Sequence, residues 1–157
     1  MAPIERKPII LTESGRKRLM DELERLRTVR RPEIAERIQQ SKELESTANN
    51  AEWDEAKNQQ AFVEGRIIEL EALIQIASVI QPEHTGTVGI GSTVTLQTSD
   101  GGRETYTIVG SVEANAVEGK ISNESPVGQA LLGKRVGQQI EVKVPAGNQR
   151  LTIVEVH

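Results

Sequence analysis

Glu43-Leu44-Glu45-Ser46-Thr47-Ala48-Asn49-Asn50-Ala51-Glu52 is a short polar stretch between two long charged segments, and it decides the fold. On its N-terminal side, Leu19, Leu23 and Leu26 recur at steps of four and three. That spacing puts them on one helix face. Thr12 and Ser14 stand ready as N-caps, because a hydroxyl accepts from the orphan amides of a first turn. Pro32 falls inside the pattern and lacks a backbone donor, so it bends the helix or starts a new one. Ile34 and Ile38 resume the stripe. Beyond the polar stretch, Val63, Ile67, Leu70, Ile74 and Ala77 alternate steps of four and three. This is a short heptad seam. The two segments read as the arms of a helical hairpin between Leu11 and Val79, with the polar stretch as its apex. From Ser14 to Glu43 a full helix spans roughly 45 Å at ~1.5 Å per residue. Neither arm is apolar enough to form a globular core, so the apex is where function is sought.

The chain changes character near Gln81-Pro82-Glu83-His84-Thr85-Gly86. Glycine is rare before it (Gly15, Gly65), and the remaining glycines follow, among β-branched residues that alternate with polar ones. Ser92–Gln97 and Glu104–Val109 read as strands joined by the Ser99-Asp100-Gly101-Gly102 turn, whose glycines accept positive φ. Lys120-Ile121-Ser122 starts a third strand. Ser125–Gly133 reads as a capped short helix. Ile140–Val144 and Leu151–Val156 are two final strands, joined through Pro145-Ala146-Gly147-Asn148. The fold class is α+β, with a hairpin over 1–80, a linker over 81–86 and a mainly antiparallel β domain over 87–157.

Composition narrows the function. The chain has 157 residues, no cysteine and a net charge of −4. Disulfides, thiolate catalysis and Cys-ligated zinc are excluded. Without a cationic surface, unaided binding to duplex DNA is disfavoured. No run reaches the ~20 apolar residues of a membrane span, and the N-terminus lacks the apolar stretch of a secretory signal. The expectation is a cytoplasmic protein with no membrane partner. His84 and His157 lie in the linker and at the terminus, poor places for catalysis.

Several blocks carry more specific information. In order they are Leu11-Thr12, opening the first helix, Arg30-Arg31-Pro32-Glu33-Ile34, Asn50-Ala51-Glu52-Trp53 and Ala56-Lys57-Asn58-Gln59-Gln60. Glu64-Gly65-Arg66-Ile67, Ile121-Ser122-Asn123-Glu124-Ser125-Pro126 and Ala130-Leu131-Leu132-Gly133-Lys134 follow. Together they resemble the bacterial Gre transcript cleavage factors, GreA type, almost end to end. The resemblance implies an N-terminal antiparallel coiled coil and a C-terminal domain of FKBP-like fold. It implies a bacterial elongation factor that docks on core RNA polymerase at the rim of the secondary channel, with Glu124, Ser125 and Pro126 in the contact. The coiled coil would then enter the channel. Its apex acids would help hold a Mg²⁺ shared with the polymerase and orient the water that cuts the 3′ end of a backtracked transcript. On this reading the chain has no catalytic residue and no cofactor of its own, and works as a monomer. Arg30, Arg31 and Arg37 would correspond to a basic patch near the nascent RNA 3′ end.

The apex departs from the family pattern. The two places that usually carry acids hold Ser46 and Asn49, and the usual Gly before the first acid is Glu45. Ser and Asn bond a water but bring no charge to a metal, and ionised partners bond about twice as strongly as neutral ones. The apex positions of interest are therefore Glu45, Ser46, Asn49, Asn50 and Glu52, with Glu45 the candidate for the shared Mg²⁺. Either Glu45 substitutes and cleavage survives, or the apex occupies the channel and modulates or inhibits polymerase without cleaving.

Plainer readings stand beside these. Trp53 is read as a small hydrophobic lock rather than a base-stacking group, and the cluster Arg25, Arg27, Arg30, Arg31 and Arg37 is also compatible with i,i+4 pairing to Glu22, Glu24, Glu33 and Glu36. Prolyl isomerase activity would need an aromatic-lined pocket, and this half has one aromatic, Tyr106. A generic coiled-coil adaptor is the remaining rival.

Overall fold

The computed structural model describes residues 7–43, 50–83 and 85–157. It divides into two compact units, Arg16–Ile76 and the chain up to Gly15 together with Ala77–His157. By its contacts the globular unit takes in the chain up to and including Gly15 as well as the strand after Ile76.

The first unit holds α1 (Glu13–Arg25, of which Glu13–Gly15 lie in the other unit), a π turn (Leu26–Arg30), α2 (Arg31–Glu43) and α3 (Ala51–Ile76). Pro32 is the cause of the π turn. Its ring crowds the carbonyl four residues back, that of Thr28. The ladder widens just there, with the Arg31 N–H donating to the Leu26 carbonyl. The Thr28 hydroxyl bonds back to the Glu24 carbonyl at 2.8 Å, which also bends helices. A π turn takes in an extra residue. Leu26 and Ile34 are eight positions apart, one more than a heptad, and the wide turn keeps both on the buried face. The hairpin core is Ile34, Val63 and Ile67, with Leu23, Leu26 and Ile38 packed around it. Leu70 is fully buried and Ile74 half-buried, while Ala77 falls past the end of α3.

The second unit opens with a strand pair that periodicity missed. β1 (Ile10–Thr12) pairs in parallel with β2 (Ser78–Ile80), Leu11 opposite Val79. Leu11 and Thr12 thus precede the first helix rather than begin it. The main sheet contains β3 (Thr93–Thr98), β4 (Arg103–Val109), β5 (Lys120–Ser122), β6 (Gln139–Val144) and β7 (Gly147–Val156). Its order is β5-β4-β3-β7-β6, and only the β4–β5 pair is parallel. Val94 and Leu96, Ile140 and Val142, and Leu151 and Ile153 alternate inward on their strands. With Leu131 of α4 (Pro126–Leu131) they form one aliphatic core. Each such burial contributes roughly 1.5–3 kcal/mol.

Thr12 is the N-cap of α1, its hydroxyl accepting from the Gly15 N–H at 3.1 Å. In a capping box the third helical residue would be Glu or Gln and would reach back to the cap's N–H. Here that residue is Gly15, and Glu113 does the work from 101 positions away. Glu113 accepts from the Thr12 N–H at 2.7 Å and from the Thr12 hydroxyl at 2.6 Å. A Cβ on Gly15 would lie 1.8 Å from the Glu113 carboxylate, so the glycine is the space in which the acid sits.

Candidate functional site

Glu45, Ser46 and Asn49 lie outside the described residues, so the structure speaks to what flanks them. Asn50 is the N-cap of α3, its carbonyl oxygen Oδ1 accepting from the Trp53 N–H at 3.1 Å. Its amide Nδ2 donates across the hairpin to the Ser41 carbonyl in the last turns of α2 at 2.8 Å. One side chain thus satisfies an orphan amide on one arm and a carbonyl near the end of the other. Ser41 is buried, its hydroxyl bonded to the Arg37 carbonyl at 2.7 Å. Glu43, Glu52 and Asp54 are all exposed. Glu52 and Asp54 sit in the first turn of α3, where the helix dipole favours anions. Trp53 is half-buried, with the Lys57 ammonium 5.7 Å from its ring centroid.

The arginines are largely engaged within the hairpin. Arg31 grips Glu64 on α3 through two bonds of 2.7 and 2.8 Å. The hydrogen bond to Glu64 raises the Arg31 pKa, and the same bond holds the Glu64 carboxyl below its usual value. Arg30 pairs with Glu33 at 2.9 Å one turn along α2. Arg27 pairs with Glu71. Arg66 takes Glu22 at 2.8 and 3.1 Å and Glu69 at 2.9 Å, and these bonds raise its pKa further. Arg37 differs, because it donates at 3.0 Å to the neutral amide of Gln59 and keeps its net charge. In the sequence Arg30, Arg31 and Arg37 read as one patch. The structure separates Arg37 from two arginines whose field is neutralised by a carboxylate.

The other candidate region is the turn Ser122–Pro126. Ser125 is the N-cap of α4 and Pro126 occupies its first turn, where a missing N–H costs nothing. The Ser125 hydroxyl donates to the Ser122 carbonyl at 2.7 Å and accepts from the Gly128 N–H at 3.1 Å. Gly128 packs so tightly that a Cβ would lie 2.0 Å from the Ser122 carbonyl oxygen. Glu124 is exposed, and its carboxylate accepts from Ser111 at 2.9 Å. Ser111 and Glu113 sit on a single turn of 3-10 helix, Ser111–Glu113. Sequence reasoning missed both, since such a turn has no periodicity. The one local hint was a glycine in the first turn of a helix otherwise poor in them.

Two family models cover these elements in order. "Transcription elongation factor, N-terminal" matches residues 9–79, and "Transcription elongation factor, GreA/GreB, C-term" matches residues 82–157. The chain belongs to the GreA/GreB family of transcription elongation factors. It is similar to the transcription elongation factor GreA of Caldanaerobacter subterraneus subsp. tengcongensis, with 51% identity over 153 residues, covering 96% of this chain and 98% of that protein. The GreA of Chloroflexus aggregans is 52% identical over 153 residues, with coverages of 96% and 98%. A crystal structure of GreA factor homolog 1 (Gfh1) of Thermus thermophilus matches at 34% identity and a TM-score of 0.44, covering 96% of this chain and 99% of that one. Within this GreA-type chain, the N-terminal family segment holds the hairpin and the C-terminal segment holds the main sheet and the Ser122–Pro126 turn. No helix among the described residues is long and apolar enough to cross a membrane. Tyr106 is half-exposed on β4 and donates to Glu104 at 2.8 Å. The cleft lined by Pro82, Glu83, Gly86, Thr87, Ser92, Val156 and His157 has no Phe, Tyr or Trp.

Proposed function

We propose that this GreA-type factor binds core RNA polymerase at its secondary channel through the Glu124-Ser125-Pro126 turn and acts on arrested or backtracked complexes. It does so by stimulating the 3′ transcript cleavage intrinsic to the polymerase, as an accessory factor rather than an enzyme. The observation that carries this reading is the ordered match of both family segments across residues 9–79 and 82–157. Asn50 supports it locally by closing α2 onto α3 beside the apex, which gives the apex residues a defined base.

The residues have distinct roles on this account. Glu45 brings the apex carboxylate to the polymerase active site, and Ser46 and Asn49 orient water through neutral hydrogen bonds. On this reading Glu45 adds one carboxylate to ligands for the shared Mg²⁺ that the polymerase holds. When bound, paired cations stabilise the attacking and leaving oxygens. Arg37, which donates to the neutral amide of Gln59 and has no carboxylate partner among the described residues, is the member of the arginine group that faces the nascent RNA 3′ end. The factor works as a monomer in the bacterial cytoplasm.

A pull-down with core RNA polymerase, competed by an excess of a secondary-channel binder, tests the docking. Competed association is expected, and no association sinks the reading. Transcript cleavage on stalled complexes then tests the apex. Cleavage that disappears in Glu45→Gln is expected. Ser46 and Asn49 favour a second reading, in which the apex modulates polymerase without cleaving. Slowed nucleotide addition with no cleavage product would select it.

A further inference from the structure

Glu124 is held in a closed ring of hydrogen bonds whose direction follows from the donors available. Ser111 Oγ lies 2.9 Å from Glu124 Oε2. An ionised carboxylate only accepts, so Ser111 spends its single proton there. The 2.7 Å contact between the Ser111 and Ser122 hydroxyls then requires Ser122 to donate. Ser122 Oγ in turn accepts from the Glu124 N–H at 3.0 Å. The ring leaves the Glu124 amide, passes through Ser122 and Ser111, and returns to the Glu124 carboxylate. It therefore restrains this residue at its backbone and at its charged end, and its last bond is charge-assisted.

Ser111 itself stands on a pinned segment. Gly110 lies so close to β1 that a Cβ would be 1.9 Å from the Ile10 carbonyl oxygen. Glu113, two residues after Ser111, is buried and bonded to Thr12. Rigid support of this kind lowers the ordering cost of binding. The second carboxylate oxygen, Glu124 Oε1, faces the Lys7 ammonium at 3.6 Å, with side-chain exposures of 84% for Lys7 and 49% for Glu124. An exposed pair at that distance is weak and readily exchanged.

We propose that Ser111 is a positioning residue for docking: it aims Glu124 Oε1 at a basic side chain of RNA polymerase, which replaces Lys7. The inference rests on the docking reading above. It adds a residue outside the Ile121–Pro126 block and the chemistry of the group that block meets.

Titration of the labelled full chain with core RNA polymerase, followed by fluorescence anisotropy, tests it. Ser111→Ala is expected to weaken binding about fivefold and Glu124→Gln about tenfold, in line with one and with several lost polar contacts. The double variant should bind within about twofold of Glu124→Gln alone, because coupled residues are not additive. Ser111→Thr keeps the hydroxyl and should restore affinity to within about twofold of wild type. Raising the salt should weaken wild type more than Glu124→Gln. The effect of saturating factor on backtracked complexes should be unchanged in Ser111→Ala. Wild-type affinity in Ser111→Ala beside weakened Glu124→Gln would overturn the positioning role and leave docking through the turn intact. Wild-type affinity in Glu124→Gln would overturn both. A loss of thermal stability in Ser111→Ala that Ser111→Thr fails to repair would assign the residue to the fold instead.

Discussion

The Ser122–Pro126 turn and the helix ends that flank the hairpin apex are both polar, yet they are held in different ways. The turn is anchored by a cap at Ser125, a tight glycine at Gly128 and the hydroxyl ring through Ser111, beside an aliphatic core. Beside the apex, Asn50 joins two arms whose own core is small. A docking surface gains from being fixed before its partner arrives. On the proposed function the apex needs only a base that keeps the arms together, because the polymerase supplies the surroundings.

Substitutions can break this contrast, and the turn should respond most sharply. Gly128→Ala drives a Cβ into backbone, which cannot step aside as a flexible side chain can. It should cost about 3 kcal/mol in thermal or denaturant unfolding of the globular unit, at the upper end for overpacking, and abolish tight polymerase binding. Asn50→Ala should cost less, about 1–2 kcal/mol as for other lost N-caps. Hydrogen exchange should rise at the end of α2 and the start of α3 while the globular unit stays protected. Arg66→Gln removes charged bonds whose groups are partly exposed, 31% at Arg66, 41% at Glu22 and 58% at Glu69. About 1 kcal/mol or less is expected, read as a lowered hairpin melting temperature with little change in docking.

The smallest effect is that of pH. Bonding to Arg31 depresses the Glu64 pKa in the folded state below its usual 4.5. A depressed carboxyl contributes stability above the unfolded pKa and loses it as pH falls through the folded one. Hairpin stability should therefore decline more between neutral and acid pH in the wild type than in Arg31→Gln. Parallel declines would show that the pair contributes nothing measurable.

Much of this architecture could be read from residue patterns, and the misses have physical causes. The arms, the Pro32 irregularity and the Asp100–Gly102 turn follow from local rules, because spacing, a missing donor and positive φ are local properties. The β1–β2 pair was invisible because three-residue strands have no periodicity to detect and their pairing joins positions 10–12 to 78–80. Glu113 was invisible for the same reason, since it completes the cap of a helix 101 positions away. The arginines were legible as candidates for pairing, but which carboxylate each takes depends on the register across the hairpin. The Ser125 cap and Pro126 were read in sequence; the Ser111 ring around them required the fold.

The account stands or falls on whether the tip acts on the polymerase. The most direct test is transcript cleavage on backtracked complexes, comparing wild type, Glu45→Gln and the double variant Ser46→Asp/Asn49→Glu. The account predicts slow cleavage by wild type, none in Glu45→Gln, and a gain of at least about tenfold in the double variant, equivalent to ~1.4 kcal/mol in the barrier. Cleavage rates that are identical in all three would contradict it.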